Sequence, residues 1–436
     1  MVRRLLRRAF DAARSPSAIY VLASVLGRAV AILLVPLYTR RLSPDEYGVY
    51  GLFASMLGLL PTVFSLGLNA GLSKAYFDEK DERSGRAAFG AVARGILLVS
   101  GAWALLGAVV AFAFPPELLA PLSRRHVVLL VFAAWGTSAT GAAEYFFRIR
   151  ERALIAAAFP LLSFAVTASL GLTLVVHLDR GVNGAVEAPS VASIAVGLAS
   201  AAYLLATFGT GETLKATRRA LVYSLPFVPH LLAAWLQTAG DRWVLNTFGG
   251  GHDLGTYYLA TQLMSPVPMV LASWNHGQWP AMGRLYRDEG LASLKSKLWW
   301  YERRALLLAA GTAAAIGLGM PILRLLVGPK FYPALAFMPA IALAQILDAP
   351  YYPDSTVLYY AGRTKRIVTI TTLSTFLGLA LSALLLPWLG IAGLLGARVS
   401  ASVAQMAAFA IGARRATSLP KSDDAAAATA EEAESL

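Results

Sequence analysis

The chain contains no cysteine, which excludes disulfides, thiolate metal sites and a cysteine nucleophile. Charge is scarce as well. Only 14% of the 436 residues are charged and 57% are hydrophobic, against about 25% and 45–50% in an ordinary soluble domain, so a water-soluble globule is excluded. Histidine is confined to His126, His177, His230, His252 and His276, with no i, i+4 pair and no HExxH arrangement, so the pattern indicates no metal site. No GxxxxGK[ST] loop occurs either, which removes an ATP-driven pump from consideration.

What the chain has in abundance is apolar runs. Stretches of about 20 apolar residues, the length that crosses a bilayer as a helix, fall near 18–38, 47–68, 87–113, 125–146, 153–177 and 185–208, then near 220–247, 254–280, 304–327, 332–361, 366–388 and 390–413. The expected fold is therefore an all-α integral membrane protein of about twelve transmembrane helices.

The net charge of +13 comes in small groups between these spans and not as one stripe, so it marks topology and points away from nucleic acid. Of the 38 Lys and Arg, 27 fall in alternate connections and seven in the others: Arg40, Arg41, Arg124, Arg125, Arg180, Arg324 and Lys330. By the positive-inside rule both termini are then cytoplasmic. The outer loops are all short, the longest lying between Pro115 and Arg125, which leaves no room for the catalytic loop of a glycan polymerase or ligase. The arginine-rich segment 1–15 reads as a cytosolic lead into a retained first span, and residues 416–436, rich in Ala, Asp and Glu, as a disordered cytosolic tail. Between Gly283 and Arg304, Leu291, Leu294, Leu298, Trp299 and Tyr301 alternate with basic residues, which fits either a helix at headgroup depth or an extension of its neighbours.

The remaining four arginines, Arg28, Arg94, Arg242 and Arg398, lie inside the apolar spans. A charge there costs at least about 2.5 kcal/mol, so such residues face a bundle interior or a wet space. A guanidinium offers a planar fork of donors, and the implied ligand is anionic. Arg28 sits near mid-membrane; Arg94 and Arg398 are nearer the ends, where they can also snorkel or bind helix carbonyls. Asp241 precedes Arg242, and adjacent helical residues point about 100° apart, so the two need not share a partner. Acids within spans are Glu144, Glu187, Asp241, Asp348 and Asp354. Asp348 and Asp354 flank Pro350 and Pro353, where a broken helix frees carbonyls beside carboxylates. That is a place for proton or sodium coupling, or for a kink held by acid-to-backbone bonds. Trp235, Trp243, Trp274 and Trp279 serve either as sugar-stacking platforms or as interfacial anchors.

The chain also repeats itself. Glu46, Gly48, Tyr50 and Leu52 at the start of the second span recur as Asp253, Gly255, Tyr257 and Leu259 at the start of the eighth, which divides the molecule into duplicated halves of like orientation, 16–209 and 210–415. With Val35–Tyr50, Gly67–Phe77 and the segment from Leu225–Pro226 through Asp241–Arg242 to Tyr257, these motifs resemble the polysaccharide or oligosaccharide-lipid (Wzx-type) flippases of the multidrug/oligosaccharidyl-lipid/polysaccharide exporter superfamily.

That resemblance implies two six-helix lobes in an inward-opening V. It also implies alternating access through a cationic central cavity, carrying a polyprenyl-diphosphate-linked oligosaccharide from the cytoplasmic to the outer leaflet of a bacterial inner membrane. On it, Arg28, Arg242, Arg94 and Arg398 are the candidates for the diphosphate, and Asp348, Asp241, Glu144 and Asp354 for coupling to H⁺ or Na⁺. No cofactor or metal is implied. A monomer among membrane lipids is, with the polysaccharide polymerase and chain-length machinery as partners to be considered. The alternatives are an ion-coupled multidrug or cation antiporter of the same superfamily and a peptidoglycan lipid-precursor flippase.

Overall fold

The computed structural model of the chain describes residues 34–115, 117, 120–209, 214–225 and 228–417. The N-terminal segment 1–15, Arg28, most of the expected first span and nearly all of the expected tail lie outside these residues. The described helices are α1 (Pro44–Phe64), α2 (Leu68–Phe77), α3 (Glu82–Ala113), α4 (Arg124–Ile149), α5 (Ala153–Gly171), α6 (Gly181–Phe208), α7 (Leu214–Ser224) and α8 (Val228–Phe248). They continue with α9 (Gly251–Leu263), α10 (Pro266–Ser296), α11 (Leu298–Leu318), α12 (Met320–Leu326), α13 (Tyr332–Leu347), α14 (Tyr351–Tyr360), α15 (Thr364–Leu389) and α16 (Ile391–Arg414). No strand occurs among the described residues.

Each expected span from residue 47 onward coincides with one helix or a consecutive pair. Eight stretches among the described residues are long and apolar enough to cross a membrane, and α11 with α12, bent by 54°, makes a ninth. The spans expected at 220–247 and 254–280 are helical but interrupted and more polar. The first divides into α7 and α8; the second divides where Pro266 opens α10. The span at 332–361 breaks between α13 and α14, beside Pro350. Hydropathy alone does not separate α2 from α1; Leu66 and Gly67 adopt φ of 50° and 70°, and only glycine takes such values without strain.

The start of α1 is closed by its own side chains. Ser43 accepts the amide of Glu46 at 3.2 Å, and Glu46 accepts the amide of Ser43 at 2.8 Å, with Pro44 in the first turn. This reciprocal cap satisfies two donors that a helix start would leave open.

Polarity does not separate inside from outside. Large apolar side chains such as Leu105 and Phe112 on α3 and Leu384 and Trp388 on α15 point outward, Trp388 being 83% exposed, as lipid-facing residues do. The interior of α4 is built from Ala133, Ala134, Gly136, Ala139, Ala142 and Ala143, all buried. At Gly136 the backbones of α4 and α6 approach so closely that a Cβ on Gly136 or Gly197 would strike the other helix. Close backbone approach through small residues substitutes for hydrophobic driving force between helices in lipid.

The helices form two compact units. One comprises the residues up to Leu259 with Ile322–Ala334, the other Ala260–Pro321 with the residues from Leu335 onward. In the first unit, the 322–334 segment is fastened to the end of the first span. The Gly328 amide donates to Thr39 Oγ1 at 3.0 Å, Arg40 donates to the Leu325 carbonyl at 3.0 Å, and Phe331 packs on Tyr47. In the second, α10 turns sharply at Gly290, whose φ is 81°. The apolar residues expected at a headgroup surface then separate: Leu291, Leu294, Leu298 and Tyr301 are buried with Val357, Leu358 and Phe409, while Trp299 and Trp300 stay exposed under Arg303 and Arg304.

Candidate functional site

In the first unit the two copies of the repeated motif meet. A Cβ on Gly48 would lie 2.9 Å from the Gly251 carbonyl oxygen and 3.1 Å from the Gly255 nitrogen, and one on Gly255 would run into the Pro44 carbonyl. Glycine at both positions lets α1 and α9 cross in backbone contact. Around that crossing stand four tyrosines. Ring centroids are 5.6 Å apart for Tyr38 and Tyr50, 5.8 Å for Tyr47 and Tyr50, and 5.5 Å for Tyr47 and Tyr258.

Arg242 and Asp241 reach the same crossing from α8 by different routes, as their angular separation requires. The guanidinium of Arg242 lies 4.8 Å from the centroid of the Tyr258 ring, a cation–π contact. Asp241, which is buried, accepts the hydroxyl of Tyr257 and, at 2.9 Å, the backbone amide of Arg242. The arrangement is a half-buried cation held on an aromatic wall, with its neighbouring carboxylate engaged elsewhere. Nearby, Trp235 donates its indole N–H to the Ser55 carbonyl at 2.9 Å, tying α8 to α1.

Arg94 is placed differently. It is 8% exposed and donates to the carbonyls of Phe208 and Gly209 at 3.0 and 3.1 Å, closing the C-terminal end of α6, where a cation is favoured. Of the three readings for Arg94, diphosphate contact, snorkelling and binding helix carbonyls, the last is what the geometry displays. Glu144 pairs with Arg148 one turn further along α4. Glu187, buried, is clamped by Arg125 at 2.5 Å and Arg180 at 2.8 Å.

In the second unit the acids follow the broken helix. Asp348 lies at the break after α13, 3.7 Å from Arg398 on α16, and its carboxylate also accepts from Ser402, one turn beyond Arg398. The two intramembrane charges thus neutralise each other across two elements. Asp354, on α14, is fully buried. Its carboxyl oxygens make no well-formed hydrogen bond with any described residue, and it lies against Glu302 of α11. Glu302 in turn takes both its oxygens to Arg414, at 3.0 and 3.1 Å. Two carboxyl groups face one guanidinium, so the fully ionised group would hold one uncompensated negative charge away from water, which is strongly unfavourable.

Sequence reading singled out Asp354 but neither Glu302 nor Arg414. Both fall just outside the apolar windows, and hydropathy counts such residues as loop. The available signal was the helical phase: in Tyr301-Glu302-Arg303-Arg304, tyrosine and glutamate share the face that continues to Ala305 and Ala309, all buried.

Against this geometry the comparisons with known proteins are consistent in kind. An inward-facing multidrug resistance MATE family transporter of the MOP superfamily superposes with a TM-score of 0.69 at 16% identity, covering 88% of this chain and 93% of that one. The lipid II flippase MurJ, in an inward closed conformation, gives 0.68 at 16% identity, with 90% and 86% covered. An outward-facing MATE transporter gives 0.60 at 15% identity, with 92% and 94% covered. At such identity these likenesses establish a shared fold. Comparison with curated protein sequences gives no match. The sequence model described as polysaccharide biosynthesis protein, however, matches residues 16–286, more than half of the chain, and the chain therefore belongs to the polysaccharide biosynthesis protein family.

Proposed function

We propose that this protein is a transporter that turns a polyprenyl-diphosphate-linked oligosaccharide from the cytoplasmic to the outer leaflet of a bacterial inner membrane. The observation that carries this reading is the family membership, joined to a fold shared with a lipid II flippase. The family is one of polysaccharide biosynthesis, and MurJ is a flippase of lipid II. In our reading Arg28 and Arg242 contact the diphosphate, since a guanidinium stays charged and matches phosphate oxygens in pairs. Arg94 caps a helix end and Arg398 pairs with Asp348, which makes them supports rather than first contacts. Asp354, beside Glu302, takes up the H⁺ or Na⁺ that drives the cycle, because a monovalent cation there balances the surplus negative charge. Both termini are cytoplasmic, and the chain works as a monomer.

The test is mass spectrometry of polyprenyl-linked lipids from cells with and without the gene. Accumulation of a glycan-loaded polyprenyl diphosphate on deletion, reversed by the wild-type chain and not by Arg242→Gln, is the expected result. A second reading, an ion-coupled antiporter for cationic drugs, is favoured by the MATE neighbours and the buried acids. It gains if deletion leaves the lipid pool unchanged and sensitises cells to such drugs. Accumulation of the cell-wall precursor instead would identify a peptidoglycan lipid flippase.

A further inference from the structure

A cavity of about 530 Å³ in the second unit is bounded by Gly362–Arg366 and Arg415–Thr417. We propose that it binds the phosphate headgroup of an anionic membrane lipid.

Its lining holds Arg363, Lys365, Arg366 and Arg415 and, among the described residues, no acid. A fifth cation stands at its wall, because Lys295 donates to the Ala416 carbonyl at 3.0 Å. Basic lining is not a general property of this protein's surface cavities. The one between α2 and α7, about 100 Å³, balances Lys74 and Arg219 with Asp78 and Glu79, and Lys74 is bonded to Asp78 at 2.7 Å.

The placement of these cations is the stronger argument. Arg415 follows the C-terminal end of α16, where positive charge is favourable. Arg363, Lys365 and Arg366 occupy the cap and first turn of α15, where the helix already presents a partial positive charge. No acidic residue stands in that turn and no side chain caps it. The starts of α1 and α3 do the opposite, with Asp45 and Glu46 in the first and Asp81 and Glu82 in the second. Three cations on an uncapped helix start repel one another and the helix, whose first turn has no side-chain acceptor for its amides. A phosphate group relieves all three conditions at once.

The rim is prepared for this. Arg363 is half-buried and is held by Thr417, whose Oγ1 accepts from it at 3.2 Å, and Gly362 makes the turn with a φ of 74°. Because α15 and α16 both read as membrane spans, their shared end lies at headgroup depth, where basic pockets between helices take lipid phosphates. The proposal is independent of what the protein transports.

The experiment is native mass spectrometry of the purified full-length protein in detergent, titrated with phosphatidylglycerol, with phosphatidylcholine, and with inorganic diphosphate. The expected result is one phosphatidylglycerol retained in preference to phosphatidylcholine. Its affinity should fall at least about tenfold in Lys365→Gln/Arg415→Gln, two exposed positions, and be unchanged in Arg284→Gln/Arg287→Gln. Thermal stabilisation by phosphatidylglycerol, present in the wild type and absent in the first pair, guards against a folding artefact. The absence of any phosphatidylglycerol preference, or an equal loss in the two pairs, overturns the proposal. Displacement of the lipid by inorganic diphosphate at equal concentration also overturns it, since the site would then be one for free anions.

Discussion

A guanidinium inside an apolar helix can be held by carbonyls, by a carboxylate or by an aromatic face, and Arg94, Arg398 and Arg242 exemplify the three. Arg94 satisfies the open end of α6. Arg94→Gln should therefore destabilise the protein by about 1.5–3 kcal/mol, the range for hydrogen bonds to a charged donor, while transport per folded molecule stays near wild type. A thermal unfolding scan beside the lipid assay separates the two effects. Loss of transport at unchanged stability would assign Arg94 to the substrate instead. Asp354 predicts the reverse. Asp354→Asn keeps the shape and removes the surplus charge beside Glu302, so it should fold at least as well as wild type. It should also make transport insensitive to the driving ion, measured as substrate movement into vesicles with and without an imposed H⁺ or Na⁺ gradient. A retained gradient response would move the coupling role to Asp348.

At the scale of elements, the crossing of α1 and α9 is tightly constrained, because both motif glycines serve it. Gly255→Leu should cost about 2–4 kcal/mol or prevent accumulation of the protein, since the Pro44 carbonyl that a new Cβ would meet is backbone and cannot turn aside. Gly396→Ala on α16, where a Cβ meets nothing within 4 Å, should leave the melting temperature unchanged or slightly raised. The same contrast shows how far the sequence could be read. The order of helices, their membrane character and the repeated acid-x-Gly-x-Tyr followed from hydropathy and spacing, since both are local properties. That Gly48 and Gly255 would face each other did not follow, because a repeat says that two segments are alike and not that they touch. Nor did the breaks at Gly67 and Gly290: glycine is common in membrane helices, and only its backbone angles distinguish a hinge from a packing site. Arg94 was visible as a buried charge, but its partners are backbone carbonyls 114 and 115 residues away, which no side-chain pattern records.

For the whole molecule, the decisive quantity is which face of the membrane each connection occupies, and the absence of cysteine makes it measurable. Each cysteine introduced into this chain is the only thiol present, so its labelling by a membrane-impermeant maleimide reports one position. The positive-inside rule predicts Lys80 and Asp288 on the cytoplasmic side and Asp179 and Gly250 outside. All four are exposed, and a Cβ at Gly250 meets nothing. Asp179→Cys and Gly250→Cys should label in intact cells, whereas Lys80→Cys and Asp288→Cys should label only after permeabilisation. The pair Gly250 and Asp288 carries the most weight, because the helices between them, α9 and α10, are broken and are not among the eight apolar spans. If they cross as one interrupted span, the two positions label from opposite sides, and the second half keeps the orientation of the first, as a tandem duplication requires. Labelling from the same side would instead make α9 and α10 a re-entrant pair, invert every later connection, and put the basic ends of α15 and α16 outside, against the positive-inside rule.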